Sequence, residues 1–175
     1  SHDGSHWENV RIPHDWAIAG PFDKQIDIQY VAIKENNEVK KTEHTGRSGS
    51  LPWIGKGEYK TKFMIPKDCS HAELLFDGAM SEPIVYVNGK EAGRWAYGYN
   101  AFRIDVTPYV LKGNKENELL VKLTNLEESS RWYPGAGIYR PVKLIMTGDV
   151  ALETWGTCVK TVNADSTRAS VCVNA

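Results

Sequence analysis

Nowhere in this chain does an apolar stripe recur at three- and four-residue spacing for three turns, so amphipathic helices cannot be its main building block. What recurs instead is short runs of period two, broken by Gly, Pro and Asn. In Gly57–Ile65 the residues Tyr59, Thr61, Phe63 and Ile65 alternate with Glu58, Lys60 and Lys62, as expected of a strand with one wet face, and Pro66 ends it. Ala72–Phe76 reads as a second strand closed by Asp77-Gly78. Ile84–Val87 runs into Asn88-Gly89 and back through Lys90–Gly93, a hairpin signal because both turn residues tolerate positive φ. Phe102–Val106, Glu118–Asn125 and Pro141–Met146 are further strands, and Thr107–Leu111 suits a short helical turn with Pro at its first position. The pattern predicts an all-β fold, an antiparallel β-sandwich of jelly-roll type.

Two regions depart from this rhythm. Gln25–Arg47 is polar and charged without a clear period, and is expected to be a long loop over the sandwich. Composition shifts again near Thr147-Gly148-Asp149. Beyond it Val150–Val159 is strand-like, Asn163–Ser166 reads as a turn and Arg168–Val173 as another strand. Two strands cannot bury a core by themselves. The expected organisation is therefore a first domain over residues 1–147 and, over 148–175, the opening hairpin of a following domain truncated at Ala175. Ser1–Trp7 does not begin with Met and reads as cut from something longer; no basic region followed by an apolar stretch marks a signal peptide.

A formal net charge of -1 argues against an electrostatic grip on nucleic acid or on an anionic membrane, and no apolar run is long enough to span a bilayer. The three cysteines, Cys69, Cys158 and Cys172, form no close-spaced metal pattern and read as small buried hydrophobes. A Cys158–Cys172 bridge stays open if the two lie on neighbouring strands. His2 and His6 have no helix to align them, so no metal site is expected there.

Ser130–Val142 packs three aromatics and two arginines around Pro134, Gly135 and Gly137. Planar amphipathic rings beside charged forks can hold a sugar, with ring faces on C–H groups and forks on hydroxyls. A turn whose aromatics plug the edge of a β-sheet core has the same composition.

The order of motifs resembles glycoside hydrolase family two. Val10-Arg11-Ile12-Pro13-His14-Asp15-Trp16 followed by Gly20-Pro21-Phe22 looks like the opening of that family's N-terminal sugar-binding domain. Leu51–Tyr59 with Phe63 resembles its Gly-x-Gly-x-Tyr strand, and Phe76–Met80 with Val85–Gly89 its "FDG…V-NG" hairpin. Asn125 through Arg131-Trp132-Tyr133 to Gly137–Arg140 resembles the loop and strand that end the domain, and Trp155-Gly156-Thr157 the start of an immunoglobulin-like second domain. The Pro-His-Asp-Trp and Arg-Trp-Tyr-Pro-Gly variants look most like the β-galactosidases of gut-type bacteria.

The resemblance implies a galactose-binding-domain-like jelly roll from a retaining glycosidase. Its acid and its nucleophile belong to a (β/α)₈ barrel further along, which needs roughly 250 residues and cannot fit here. No residue of this chain is then catalytic; adjacent carboxylates such as Glu127-Glu128 point apart and have nothing nearby to raise one pKa. The implied substrate-binding residues are Asp15, Arg131 and Trp132. Asp15 sits where relatives place an Asp or Asn near the terminal-sugar subsite; it can equally be a turn or cap residue before Trp16-Ala17-Ile18. Arg131 falls where some relatives carry an acidic residue, and could contact a hydroxyl or pair with a barrel carboxylate. Trp132 and Tyr133 could wall the pocket or pack against the barrel. Trp53 and Trp95 are expected in core or interface, and Arg140 in a structural ion pair at a strand start.

The implied partners are carbohydrate, a terminal β-galactoside, and the downstream domains of the same chain. No cofactor, metal, nucleic acid or membrane is implied, and the family favours a periplasmic or secreted location. The alternatives are a free-standing carbohydrate-binding module, the N-terminal domain of a related β-glucuronidase or β-mannosidase, and a jelly roll that mediates protein contacts.

Overall fold

The computed structural model describes residues 6–18, 28–45, 55–126 and 135–175. Its strands are β1 (Ile28–Glu35), β2 (Glu38–Thr45), β3 (Gly55–Met64), β4 (His71–Phe76), β5 (Ile84–Val87), β6 (Lys90–Arg94), β7 (Phe102–Asp105), β8 (Glu116–Asn125), β9 (Val142–Thr147), β10 (Cys158–Ala164) and β11 (Ala169–Asn174). A 3₁₀ turn at Thr107–Tyr109 carries Pro108 at its start, as expected. All named strand pairs are antiparallel.

Two sheets make the sandwich, one of four strands in the order β3-β8-β5-β6 and one of three in the order β7-β4-β9. Period-two alternation becomes burial in β8, where Asn117, Leu119, Val121, Leu123 and Asn125 face inward. They meet Val85 and Val87 of β5 and, from the other sheet, Ala72, Leu74, Phe76, Phe102 and Ile104. Phe76 and Phe102 stack with centroids 4.7 Å apart, and Trp95 adds a third near-parallel ring 5.7 Å beyond Phe102. Trp95 is thus half core and half surface, with 40% of its area still exposed. The fully buried Phe76 is worth about 3–5 kcal/mol against truncation to Ala.

On the wet face β3 and β8 are laced by Lys60–Glu118 at 2.7 Å, Lys62–Glu116 at 2.6 Å and Lys122–Glu58 at 3.1 Å. Exposed pairs of this kind add little stability each. The Asn88-Gly89 turn forms as expected, with φ of 51° and 78°. Asn117, 0% exposed, ties this turn to the 3₁₀ segment. Its Oδ1 accepts from the Leu111 amide (2.6 Å) and from Asn88 Nδ2 (2.8 Å), while its Nδ2 donates to the Leu111 and Lys115 carbonyls.

The structure corrects four expectations. Residues 28–45 are not a loop: β1 and β2 pair as a hairpin about Asn36 and Asn37, whose φ of 50° and 66° lie in the left-handed region that asparagine tolerates. Val150–Val159 is not one strand, because a turn at Glu153–Gly156, closed by a Gly156 amide to Glu153 carbonyl bond of 2.9 Å, delays β10 to Cys158. The following turn accordingly sits later than expected, where the Asp165 carboxylate accepts from the Thr167 and Arg168 amides. Of the cysteines only Cys69 is buried. Cys158 and Cys172 are exposed and unbridged, since the register sets Cys158 opposite Asn174 and Cys172 opposite Lys160.

Candidate functional site

The Gly-rich end of the motif at 130–142 becomes the middle of a three-layered set of loops. Gly137 and Met80 exchange amide-to-carbonyl bonds of 2.8 and 2.9 Å on one side. On the other, the His14 amide donates to the Ile138 carbonyl (2.8 Å) and the Trp16 amide to the Ala136 carbonyl (3.2 Å). Residues 13–17 therefore form a strap that runs antiparallel to 135–138. Gly135 and Gly137 adopt φ of 83° and 104°, conformations that favour glycine. At Gly137 a β-carbon would also lie 2.8 Å from the His14 carbonyl oxygen and strike the Tyr59 hydroxyl. The close approach of three segments is what requires glycine there.

Asp15 lies on this strap, half-buried. Its Oδ1 accepts from the Ala17 amide at 2.9 Å, the local turn that was one of its two expected roles. Its Oδ2 lies toward Gly135, 3.6 Å from where a β-carbon on that residue would sit. The carboxylate thus faces Gly135. Arg131, Trp132, Tyr133, Trp53 and the Glu127-Glu128 pair lie outside the described residues.

Sequence reasoning missed Tyr59 at this site. It reads there as one of the inward residues of β3 and as the tyrosine of the Gly-x-Gly-x-Tyr motif, the signal that could have found it, but neither reading links it to Asp15. Its hydroxyl shares a 2.8 Å hydrogen bond with His14 Nδ1, and lies 3.4 Å from the His14 carbonyl. Its ring meets His14 edge-on at 5.8 Å and Trp16 at 6.1 Å. Burial pushes the hydroxyl up to about 12, against a backbone hydrogen bond with Ile138 that pulls it down, and the Asp15 carboxylate raises it further. The phenol is therefore neutral at any physiological pH.

The remaining expectations resolve around Tyr139. Its hydroxyl donates to the Gly98 carbonyl at 2.8 Å and pins the loop after β6. Burial raises its pKa, with the Arg140 charge working against that rise. Arg140 sits over the Tyr139 ring at 5.3 Å and reaches the Asp77 carbonyl. Among the described residues it is Lys143, not Arg140, that makes the ion pair at this strand start, 2.8 Å from the Asp77 carboxylate. No group of three or more His, Cys, Asp or Glu side chains that could hold a metal occurs among the described residues. None of the helices described is long and apolar enough to cross a membrane.

Fold and loop arrangement together define a β-sandwich domain of jelly-roll type. The chain belongs to the family described as glycosyl hydrolases family 2, sugar binding domain, which it matches over residues 5–148. It is 37% identical over 166 residues to the β-galactosidase BoGH2A of Bacteroides ovatus, covering 93% of this chain and 17% of that protein. It is 31% identical over 176 residues to a putative β-glucuronidase of Formosa agariphila, covering 99% of this chain and 15% of that one. A crystal structure of a glycosyl hydrolase family 2 member from Bacteroides cellulosilyticus superposes with a TM-score of 0.77 at 32% identity, over 98% of this chain and 21% of that chain. The chain thus spans about a sixth of the length of the curated relatives it matches.

Proposed function

We propose that this chain is the non-catalytic N-terminal domain of a retaining β-galactosidase-like glycosidase, and that it lends residues to the terminal-sugar subsite of a catalytic barrel further along. The observation that supports this reading is the pairing of the 13–17 strap with 135–138, which turns Asp15 toward Gly135, close in sequence to Arg131 and Trp132. A carboxylate with one oxygen committed to its own turn is oriented in advance, and it suits a sugar because it accepts from hydroxyl donors. Arg131 and Trp132 would add a fork and a ring face, the two chemistries that hold a sugar's hydroxyls and C–H groups. The chemistry itself, a general acid and a carboxylate nucleophile, falls to the barrel.

The domain division at 147/148 is part of the same proposal. It is supported by the end of the family match at residue 148 and by the wholly exposed strands β10 and β11, which pair with each other as the opening hairpin of a following domain.

A β-galactoside is the preferred substrate, in keeping with the 37% identity to a β-galactosidase. The relative at 31% identity named as a putative β-glucuronidase supports the second reading, a glucuronide. Full-length protein assayed against a panel of nitrophenyl glycosides decides between them. Highest turnover on the β-galactoside is expected, and highest turnover on the glucuronide would favour the second. The 175-residue chain alone is expected to be inactive, and turnover by it in pure form would overturn the non-catalytic assignment.

A further inference from the structure

We propose that Tyr59 is a positioning residue for Asp15, its hydroxyl locking the strap on which that carboxylate is presented to the sugar. The inference rests on the reading of Asp15 given above and goes one residue deeper.

Asp15 is flanked in the chain by His14 and Trp16, and the same tyrosine holds both. His14 is bound through Nδ1 at 2.8 Å, and Trp16 through ring contact at 6.1 Å. The hydroxyl also lies against the Gly137 backbone, where a β-carbon would strike it, and the neighbouring Ile138 carbonyl accepts from the His14 amide. One oxygen thus joins strand β3, the strap and the 135–138 segment.

The seat around that oxygen is cut to fit. Gly137 leaves room for the hydroxyl, and Gly57 leaves room for Trp16, since a β-carbon on Gly57 would fall 2.6 Å from the indole. A phenylalanine at 59 would fill the same volume. What tyrosine adds is direction, because a hydrogen bond fixes the strap laterally where ring packing alone lets it slide. Subsite geometry is sensitive to such slides: a displacement on the order of 1 Å can cost a large factor in rate.

The test is a double-mutant cycle in the full-length enzyme, with steady-state kinetics on a nitrophenyl β-galactoside and inhibition by free galactose. Tyr59→Phe is expected to raise KM and the galactose inhibition constant about three- to tenfold, the factor of one lost neutral hydrogen bond. In an Asp15→Asn background the same change should add nothing. His14→Leu should reproduce the loss, and His14→Asn, whose amide reaches the position of Nδ1, should restore most of it. An unchanged KM in Tyr59→Phe, or the same fold-loss in both backgrounds, overturns the proposal. If Asp15→Asn alone leaves KM unchanged, the assignment of Asp15 falls and this inference with it. If Asp15→Asn raises KM and Tyr59→Phe does not, only the positioning role falls. Should Tyr59→Phe fail to fold, the His14 pair carries the test, and equal KM for Leu and Asn at 14 overturns the proposal.

Discussion

Trp16 occupies the space that a side chain on Gly57 would need. A β-carbon at 57 would lie 2.6 Å from Cζ3 of the indole and 2.9 Å from two further ring carbons. The ring cannot yield freely, because Tyr59 lies beside it on the same strand. Gly57→Ala should therefore displace the strap at a cost of about 1–3 kcal/mol, the usual range for overpacking. Urea denaturation gives the cost, and a midpoint equal to wild type would show that the strap adjusts without strain.

Asp15 combines two tasks that one substitution separates. Asparagine keeps an oxygen for the Ala17 amide and so keeps the turn, but it removes the charge. Asp15→Asn in the full-length enzyme should leave the melting temperature within about 2 °C of wild type, since the near-isosteric change spares the turn. KM should rise about tenfold, equivalent to roughly 1.4 kcal/mol of binding. Asp15→Ala should add about 1 kcal/mol of destabilisation through the lost turn bond. A fall in melting temperature for Asn as large as that for Ala would assign Asp15 to folding alone.

Asn117 should be the most sensitive polar residue of the core. Both ends of its amide are used, and Asn88, Leu111 and Lys115 all depend on it. Asn117→Ala strands several of these groups at once and should cost about 3 kcal/mol or more by chemical denaturation. Asn117→Leu should be no better, because the partners left behind are what make the loss costly. A loss under about 1 kcal/mol would mean that water replaces the side chain.

Stability at alkaline pH should carry the signature of Tyr59. Its folded value of about 12 exceeds the ordinary 10.0, so the unfolded chain releases this proton first as pH rises. The tyrosine's contribution is fully present below pH 10 and is lost as pH climbs through 12. The gap in melting temperature between wild type and Tyr59→Phe should accordingly narrow over that window, whatever the lysines do, since both proteins share them. A constant gap from pH 8 upward would place the phenol in solvent.

What the chain discloses unaided is what burial on one face imposes. β3, β4, β5, β7, β8 and β9 all lie within about two residues of where alternation puts them, a usual margin for strand ends. The β1–β2 hairpin hides because its charged and apolar residues do not alternate, although the Asn36-Asn37 pair was a turn signal in plain view. The cysteines of β10 and β11 mislead for a related reason: a strand with no layer over it buries nothing, however β-prone its residues. The candidate site was half legible. Motif resemblance singles out Asp15, but the contact of His14 with Ile138 joins distant parts of the chain and leaves no local trace. Tyr59 stands out as a motif residue, but its place in the strand pattern conceals its tie to the strap.

The charges on the wet face of β3 and β8 do something that hydrophobic patterning cannot. Alternation forbids a slip of one residue, because it would turn the sandwich inside out, but it is blind to a slip of two. In the native register Glu58 faces Lys122 and Lys62 faces Glu118. Slide β8 by two residues one way and Lys60 comes opposite Lys122, with Glu58 left against Thr124; slide it the other way and Lys56 comes opposite Lys122, but Lys60 then faces Glu118 and Lys62 faces Glu116, so the charges oppose only the first slip. Like charges set face to face are each unfavourable by about 0.2–1 kcal/mol. Salt bridges too weak to hold the domain together can still close off one direction of slip.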